Sequence, residues 1–338
     1  MSNKEVFGQG RNGETVTRVS LKGGGLTANV LTWGAIIQDL RLDGHKPPLV
    51  LGFDAMADYL VHSPFFGATP GRNANRIAHG RFSIDGHDYQ LELNEGGVTH
   101  LHGGSDGIGV SNWDIDDLGE SHVTLSILDR DGRAGYPGNC RIRCTYSLRD
   151  HGVLNVVYES ESDQATPANV CQHSYFNLDG MPTTASHTLK IDADSYLPTN
   201  DQQIPAGGPK DVTGTAFDFR QADSVVRMQD GEQVLFDHNF CLSGQRVAKR
   251  DVAELTSIAS GVRMRVATTE PGVQVYAGFK MDVPVPGLDG HRYGPFAGLC
   301  METQIWPDAI NQAGFPEAVL RPGQVLRQET DYAFSVTG

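Results

Sequence analysis

Short runs in which apolar and polar side chains alternate every second residue constrain this chain more than any other feature of it. Residues 15–22 read T-V-T-R-V-S-L-K, and 81–93 read R-F-S-I-D-G-H-D-Y-Q-L-E-L. A period of two puts alternate side chains on opposite faces, which an extended backbone achieves and a helix does not. The Asp85-Gly86 pair falls between two such runs. Both central residues of a tight hairpin turn need positive φ, which Asp and Gly adopt readily, so this pair predicts a hairpin. Residues 122–128, 141–149, 153–160, 261–268, 273–280 and 324–336 continue the alternation. Forty glycines, most of them between apolar runs, supply the turns such a chain needs.

Helical periodicity is scarce, and residues 54–60 predict one helix of a turn or two. The fold class expected is all-β, with two large stacked antiparallel sheets. At 338 residues two average domains would fit, but all-β units often run well beyond about 150 residues. No charged block or Pro/Ser linker divides the chain, and 199–212 (T-N-D-Q-Q-I-P-A-G-G-P-K-D-V) reads as a long surface loop. A single domain over 1–338 is therefore expected.

The net charge of −14 repels phosphate backbones and anionic headgroups, which argues against nucleic acid and membrane partners. Five cysteines, odd in number and without C-x-x-C spacing, fit free thiols in a reducing compartment better than disulfides or zinc. The first residues carry no apolar leader, and no stretch approaches 18 uninterrupted apolar residues. A soluble, cytoplasmic protein is the expectation.

Ionisable residues gather in four turn-rich segments: 71–82 (G-R-N-A-N-R-I-A-H-G-R-F), 99–104 (T-H-L-H-G-G), 172–178 (Q-H-S-Y-F-N-L) and 299–312 (L-C-M-E-T-Q-I-W-P-D-A-I-N-Q). Residues 236–242 and 271–278 form two lesser ones. Each has an ordinary structural reading. His100 and His102 alternate and could share one side of a strand, as a metal-binding pair does, or could simply be hydrogen-bonded. His173 could be a buried histidine donating to a carbonyl. Glu302, in an apolar run, must face solvent or find a partner or a raised pKa. Asp237 and Arg76 could form a simple ion pair.

Taken together, the segments resemble the aldose 1-epimerases (galactose mutarotases) along nearly the whole chain. The resemblance rests on seven motifs in order: G-R-x-x-N-R-I at 71–77, L-H-G-G at 101–104, G-Y-P-G-N at 135–139, H-S-Y-F-N-L at 173–178, F-D-H-N-F at 236–240, P-G-V-Q-V-Y at 271–276 and E-T-Q-x-x-P-D at 302–308. It implies a β-supersandwich and interconversion of the α and β anomers of a free aldohexose such as galactose or glucose. It implies His173 as general acid and Glu302 as general base, with Asn75, Arg76, His102, Asp237 and Gln274 holding the sugar. The sequence departs from the pattern at Pro70, Arg133-Ala134, Gln172, Trp306 and Ile310, and a bulky Trp306 near the site would reshape its rim.

Anomers interconvert when the C1 hydroxyl loses a proton while the ring oxygen gains one, so a base and an acid must flank C1. That chemistry needs no metal or organic cofactor, and none is expected. The partner expected is a monosaccharide, handled by a monomer or homodimer. Three other readings remain. An enzyme of the same fold acting on hexose 6-phosphates would draw on Arg72, Arg76 and Arg81. The others are a non-catalytic carbohydrate-binding β-sandwich and a cupin-like metal enzyme built on His100 and His102.

Overall fold

A computed structural model describes residues 3–63 and 65–336. Strands dominate it, and among the described residues Met56–His62 is the one α-helix. It lies two residues later than the periodicity predicts.

The largest sheet has nine strands in the order Asp223–Ser224, His187–Ile191, Arg250–Ser257, Val262–Thr268, Leu326–Val336, Val153–Ser162, Cys140–Arg149, His122–Asp129, Asp114–Leu118. A six-stranded sheet runs Tyr175–Phe176, Leu299–Gln304, Gly272–Tyr276, Asp237–Cys241, Ser195–Tyr196, Lys210–Asp211. The first four strands, Lys4–Gln9, Thr15–Gly23, Leu26–Leu31 and Ile36–Leu42, form a meander. Every named pairing in these sheets is antiparallel. The predicted hairpin forms between Arg81–Ile84 and His87–Gln90, with φ of 53° at Asp85 and 81° at Gly86. The segment 199–212 is mostly irregular, as expected, but it also contributes the edge strand Lys210–Asp211.

The six-stranded sheet has two unlike faces. Val273, Val275, Phe240, Leu299 and Met301 point into the main core, where they join Leu125, Ile142, Val156, Leu255, Met264 and Tyr332 of the nine-stranded sheet. Tyr332 donates its hydroxyl to the Met301 carbonyl at 3.2 Å, and the Thr303 and Thr330 hydroxyls meet at 2.6 Å. Each fully buried aliphatic or aromatic side chain contributes about 1.5–3 kcal/mol, so this dry face stabilises the pair of sheets. The intervening residues face the other way and are polar. Asn239 pairs with Gln274 and Gln274 with Glu302, while Asp237 pairs with Tyr276 and Tyr276 with Cys300. Alternation thus turns three apolar-looking strands into a core on one side and rows of hydrogen-bonding groups on the other.

Candidate active site

Tyr175 pairs with Cys300, and extending that antiparallel register by two residues sets His173 opposite Glu302. The His173 segment is held from behind. Its backbone exchanges hydrogen bonds with Gly67 and Ala68 at 3.1 and 2.9 Å, and the Gln172 amide donates to the Gly67 carbonyl at 2.8 Å. His173 Nε2 lies 3.7 Å from Glu302 Oε1, with side-chain exposures of 5% and 3%. Two buried thiols flank the pair. Cys171 donates to Glu302 Oε2 at 3.4 Å, and Cys300 Sγ lies 3.6 Å from His173 Nδ1. Burial pushes the Glu302 carboxyl above its ordinary range, and the nearby Asp237 charge adds to this. His173, the Cys171 thiol and Arg76 pull it back only in part.

Asn75, Arg76 and His102 come from a short antiparallel pairing of Arg76–Ile77 with His100–Leu101. Asn75 and His102 both take positive φ, 59° and 53°, and lock together. The His102 N–H donates to the Asn75 carbonyl and the Asn75 N–H donates to His102 Nδ1, each at 3.1 Å. A ring nitrogen that accepts a backbone N–H carries no proton, so neutral His102 bears its proton on Nε2 and presents a donor. Burial, with the nearby charges of His173 and Arg76, pushes its pKa well down.

Across the site, Gln274 donates to Asp237 Oδ1 at 2.7 Å, and Arg76 Nη1 lies 3.8 Å from Asp237 Oδ2. The His102 and His173 rings are 5.1 Å apart. All seven residues singled out in the sequence (Asn75, Arg76, His102, His173, Asp237, Gln274 and Glu302) therefore form one closed circuit of neighbours. The circuit is buried but not sealed, since Arg76, His102 and Asp237 stay 6%, 7% and 8% exposed.

The structure decides between the two readings of His100 and His102. His100 and His102 do not share a face as a metal pair, because positive φ at His102 breaks the alternation. His100 lies close to Tyr136 and the Glu92 carbonyl, with one ring nitrogen on each at 2.7 Å. Ligand atoms of His102, His173 and Glu302 do lie within 4.8 Å of one another, a spacing that could hold a metal. The donor chemistry opposes it. A metal-ligating histidine ordinarily donates its second nitrogen's proton to an acceptor, whereas here Nδ1 of His102 meets a backbone donor.

Trp306 packs in a separate cluster with Leu197, Cys241 and Phe315, its indole N–H on the Pro271 carbonyl at 2.9 Å. Three residues at the site escaped the sequence reading. Phe65, at φ 65°, sets its ring 4.8 Å from His102 and 5.8 Å from His173. Glu95 grips Arg76 through two bonds of 2.7 Å, and Asp308 fixes the Arg76 strand by accepting from the Ala78 N–H at 3.0 Å. Asp308 closes the E-T-Q-x-x-P-D motif without having been given a role there, and Glu95 lies four residues before the 99–104 segment; Phe65 left no signal.

The scaffold is β-rich and holds a buried carboxylate–imidazole pair ringed by hydrogen-bonding side chains, an arrangement with the chemistry to take and give protons. The aldose 1-epimerase family model matches residues 17–333, and the chain belongs to that family. It is 41% identical to the galactose mutarotase of Homo sapiens over 98% of both chains. It is 34% identical to the aldose 1-epimerase of Escherichia coli over 92% of both. The crystal structure of an aldose epimerase homologue from C. elegans superposes with a TM-score of 0.89, at 30% identity over 95% of this chain and 99% of that one. No helix of the described residues is long and apolar enough to cross a membrane.

Proposed function

We propose that this chain, working as one unit, interconverts the α and β anomers of a free aldohexose such as galactose or glucose, with Glu302 as general base and His173 as general acid. The apposition of Glu302 and His173 at 3.7 Å carries this reading. The two oxygens that exchange protons in ring opening share one carbon, so the acid and base serving them must be near neighbours. Glu302 takes the C1 hydroxyl proton while His173 protonates the ring oxygen. The ring opens to the aldehyde, C1 turns about its bond to C2, and reclosure with the roles exchanged gives the other anomer. Arg76, Asn75, His102, Asp237 and Gln274 hold the sugar hydroxyls, and His102 donates from Nε2. No metal or organic cofactor enters the route.

The magnitudes fit. Unaided mutarotation takes on the order of an hour, a barrier of roughly 22 kcal/mol, and turnover near 10³ s⁻¹ needs roughly 13. Acid and base groups contribute about 3–5 kcal/mol each, and orientation of the sugar can supply the remainder.

The hexose 6-phosphate alternative needs a cationic pocket, and two of its three arginines are committed elsewhere. Arg72 is buried against Asp129, and Arg81 bonds Gln90 on the outer hairpin. A non-catalytic sugar binder has no use for a buried carboxylate held against an imidazole.

Polarimetry on freshly dissolved pure anomers tests the reading. Glu302→Gln keeps the size of the side chain and removes the base, and His173→Asn removes the acid. Each lowers kcat at least about 10²-fold. Because the two transfers are coupled, the double variant loses less than the product of the singles. A folded Glu302→Gln protein that mutarotates every tested sugar at the wild-type rate would disprove the mechanism.

A further inference from the structure

We propose that Glu95 is a specificity-determining residue that confines the site to uncharged sugars by occupying the anion-binding fork of Arg76. The inference rests on the sugar-binding reading of this site.

A guanidinium inside a pocket is ordinarily a receptor for carboxylates and phosphates, because its planar fork matches two oxygens at once. Arg76 has already given its side-on edge to Glu95. Its Nε and Nη2 each meet a Glu95 oxygen at 2.7 Å, and Nη1 is turned toward Asp237 at 3.8 Å. Burial works against the Arg76 charge, but the Glu95 bond and the Asp237 charge outweigh it and hold the guanidinium above its ordinary pKa. The side-on edge of the guanidinium is therefore closed to a substrate, and what remains is the Nη1/Nη2 end, which faces the Asp237 carboxylate.

Glu95 is built in, not draped over the surface. The Thr99 hydroxyl donates to Glu95 Oε2 at 2.6 Å. The Glu95 and Thr99 backbones pair across the same turn. Next to it, the Asn94 amide bonds both the carbonyl and the N–H of Leu101 at 3.0 and 2.9 Å, which latches the turn to the segment leading into His102. Burial acts to raise the Glu95 pKa, yet the Arg76 and Thr99 bonds outweigh it and hold it below the ordinary range, with a further contribution from exposed Lys280.

The charges around the site point the same way. Glu95, Asp237 and Glu302 carry three negative charges against Arg76 and the protonated His173 that the mechanism calls for, while burial disfavours charge on His102. A second anion brought in on the substrate meets an excess of like charge. Neutral aldoses avoid that repulsion, whereas aldoses carrying a carboxylate or phosphate do not.

The experiment compares kcat/KM for mutarotation of D-galactose and of D-galacturonate, which differ in the charge at C6. The wild type should favour galactose by at least about tenfold, and Glu95→Gln should shrink that preference by about tenfold. Glu95→Asp keeps the charge and should keep the preference, even if shortening the side chain lowers both rates. Calorimetric binding of the two sugars reads the same ratio without turnover. A wild type indifferent to the charge, or a Glu95→Gln protein whose rates on both sugars fall together, would overturn the inference. A wild type that binds galactose in preference to galacturonate but accelerates neither would instead sink the mutarotase reading and leave this one standing.

Discussion

Arg72 and Arg76 stand four residues apart in one motif, and the structure puts them to opposite uses. Arg72 is wholly buried and bonds four acceptors: Asp129 Oδ2 at 2.8 Å, the Asp129 carbonyl at 2.9 Å, the Pro137 carbonyl at 2.7 Å and the Thr166 hydroxyl at 3.0 Å. It stacks on Tyr136 as well, its guanidinium 5.3 Å from the ring centroid. It therefore ties the 71–77 segment to the G-Y-P-G-N turn and has little left to offer a ligand. Arg76 is anchored on one side only and keeps Nη1 toward the sugar-facing residues. On the proposed reading, the same residue type is structural where its donors are consumed internally and binds substrate where some remain. His100, engaged by both Tyr136 and Glu92, and His102, with Nε2 to spare, repeat the contrast.

Four substitutions press on this distinction. The largest effect is expected at Arg72. Arg72→Met leaves buried Asp129 with only Arg133, 3.6 Å away, and should cost about 3 kcal/mol of stability, read by denaturant unfolding. Arg76→Met should cost less stability than Arg72→Met, because its main partner Glu95 is 31% exposed and can be solvated, and should lower kcat/KM about 10²-fold, through lost hydroxyl binding. If the two exchange phenotypes, the assignment by spare donors is wrong.

Glu302→Gln should come next, in the stabilising direction. The folded state raises the Glu302 pKa, so it binds this proton more tightly than the unfolded chain does. The wild type then loses stability as pH rises from the ordinary carboxylate range through the raised value. The variant should melt with the wild type at low pH and above it near neutrality. Equal melting at both pH values would mean that the buried charge costs nothing.

The smallest effect is at Cys171. Cys171→Ala removes the thiol that donates to Glu302 Oε2. The acid limb of the rate profile should move to higher pH, and Cys171→Ser should restore it. An unmoved limb would make Cys171 a packing residue.

Much of this was legible in the chain, for local reasons. Alternation marks Cys140–Arg149 and Val153–Ser162 because each strand has one dry face. Asp85-Gly86 marks its own turn because the positive φ is written into those two residues. The seven site residues lie in recognisable motifs. What pairs with them does not, because cross-strand contacts carry no mark at either end. Glu95 is 19 residues from Arg76, and Cys171 is 131 from Glu302. His100 and His102 stayed ambiguous for a related reason: the alternation argument assumes an extended backbone, and His102 leaves it at φ 53°. Trp306 follows Gln304 by two residues yet lies in a satellite cluster, because the chain stops being a strand at Gln304.

The two-faced strand Leu299–Gln304 has a consequence for how errors propagate. Its side chains alternate between Leu299 and Met301 in the core and Cys300 and Glu302 at the site. Insertion or deletion of one residue upstream within this strand would exchange the two sets, sending the carboxylate among aliphatic side chains and a methionine toward the imidazole. Such a protein would be wrong in both respects at once. Turnover therefore doubles as an assay of strand register, and an active molecule is one whose sheets have paired correctly.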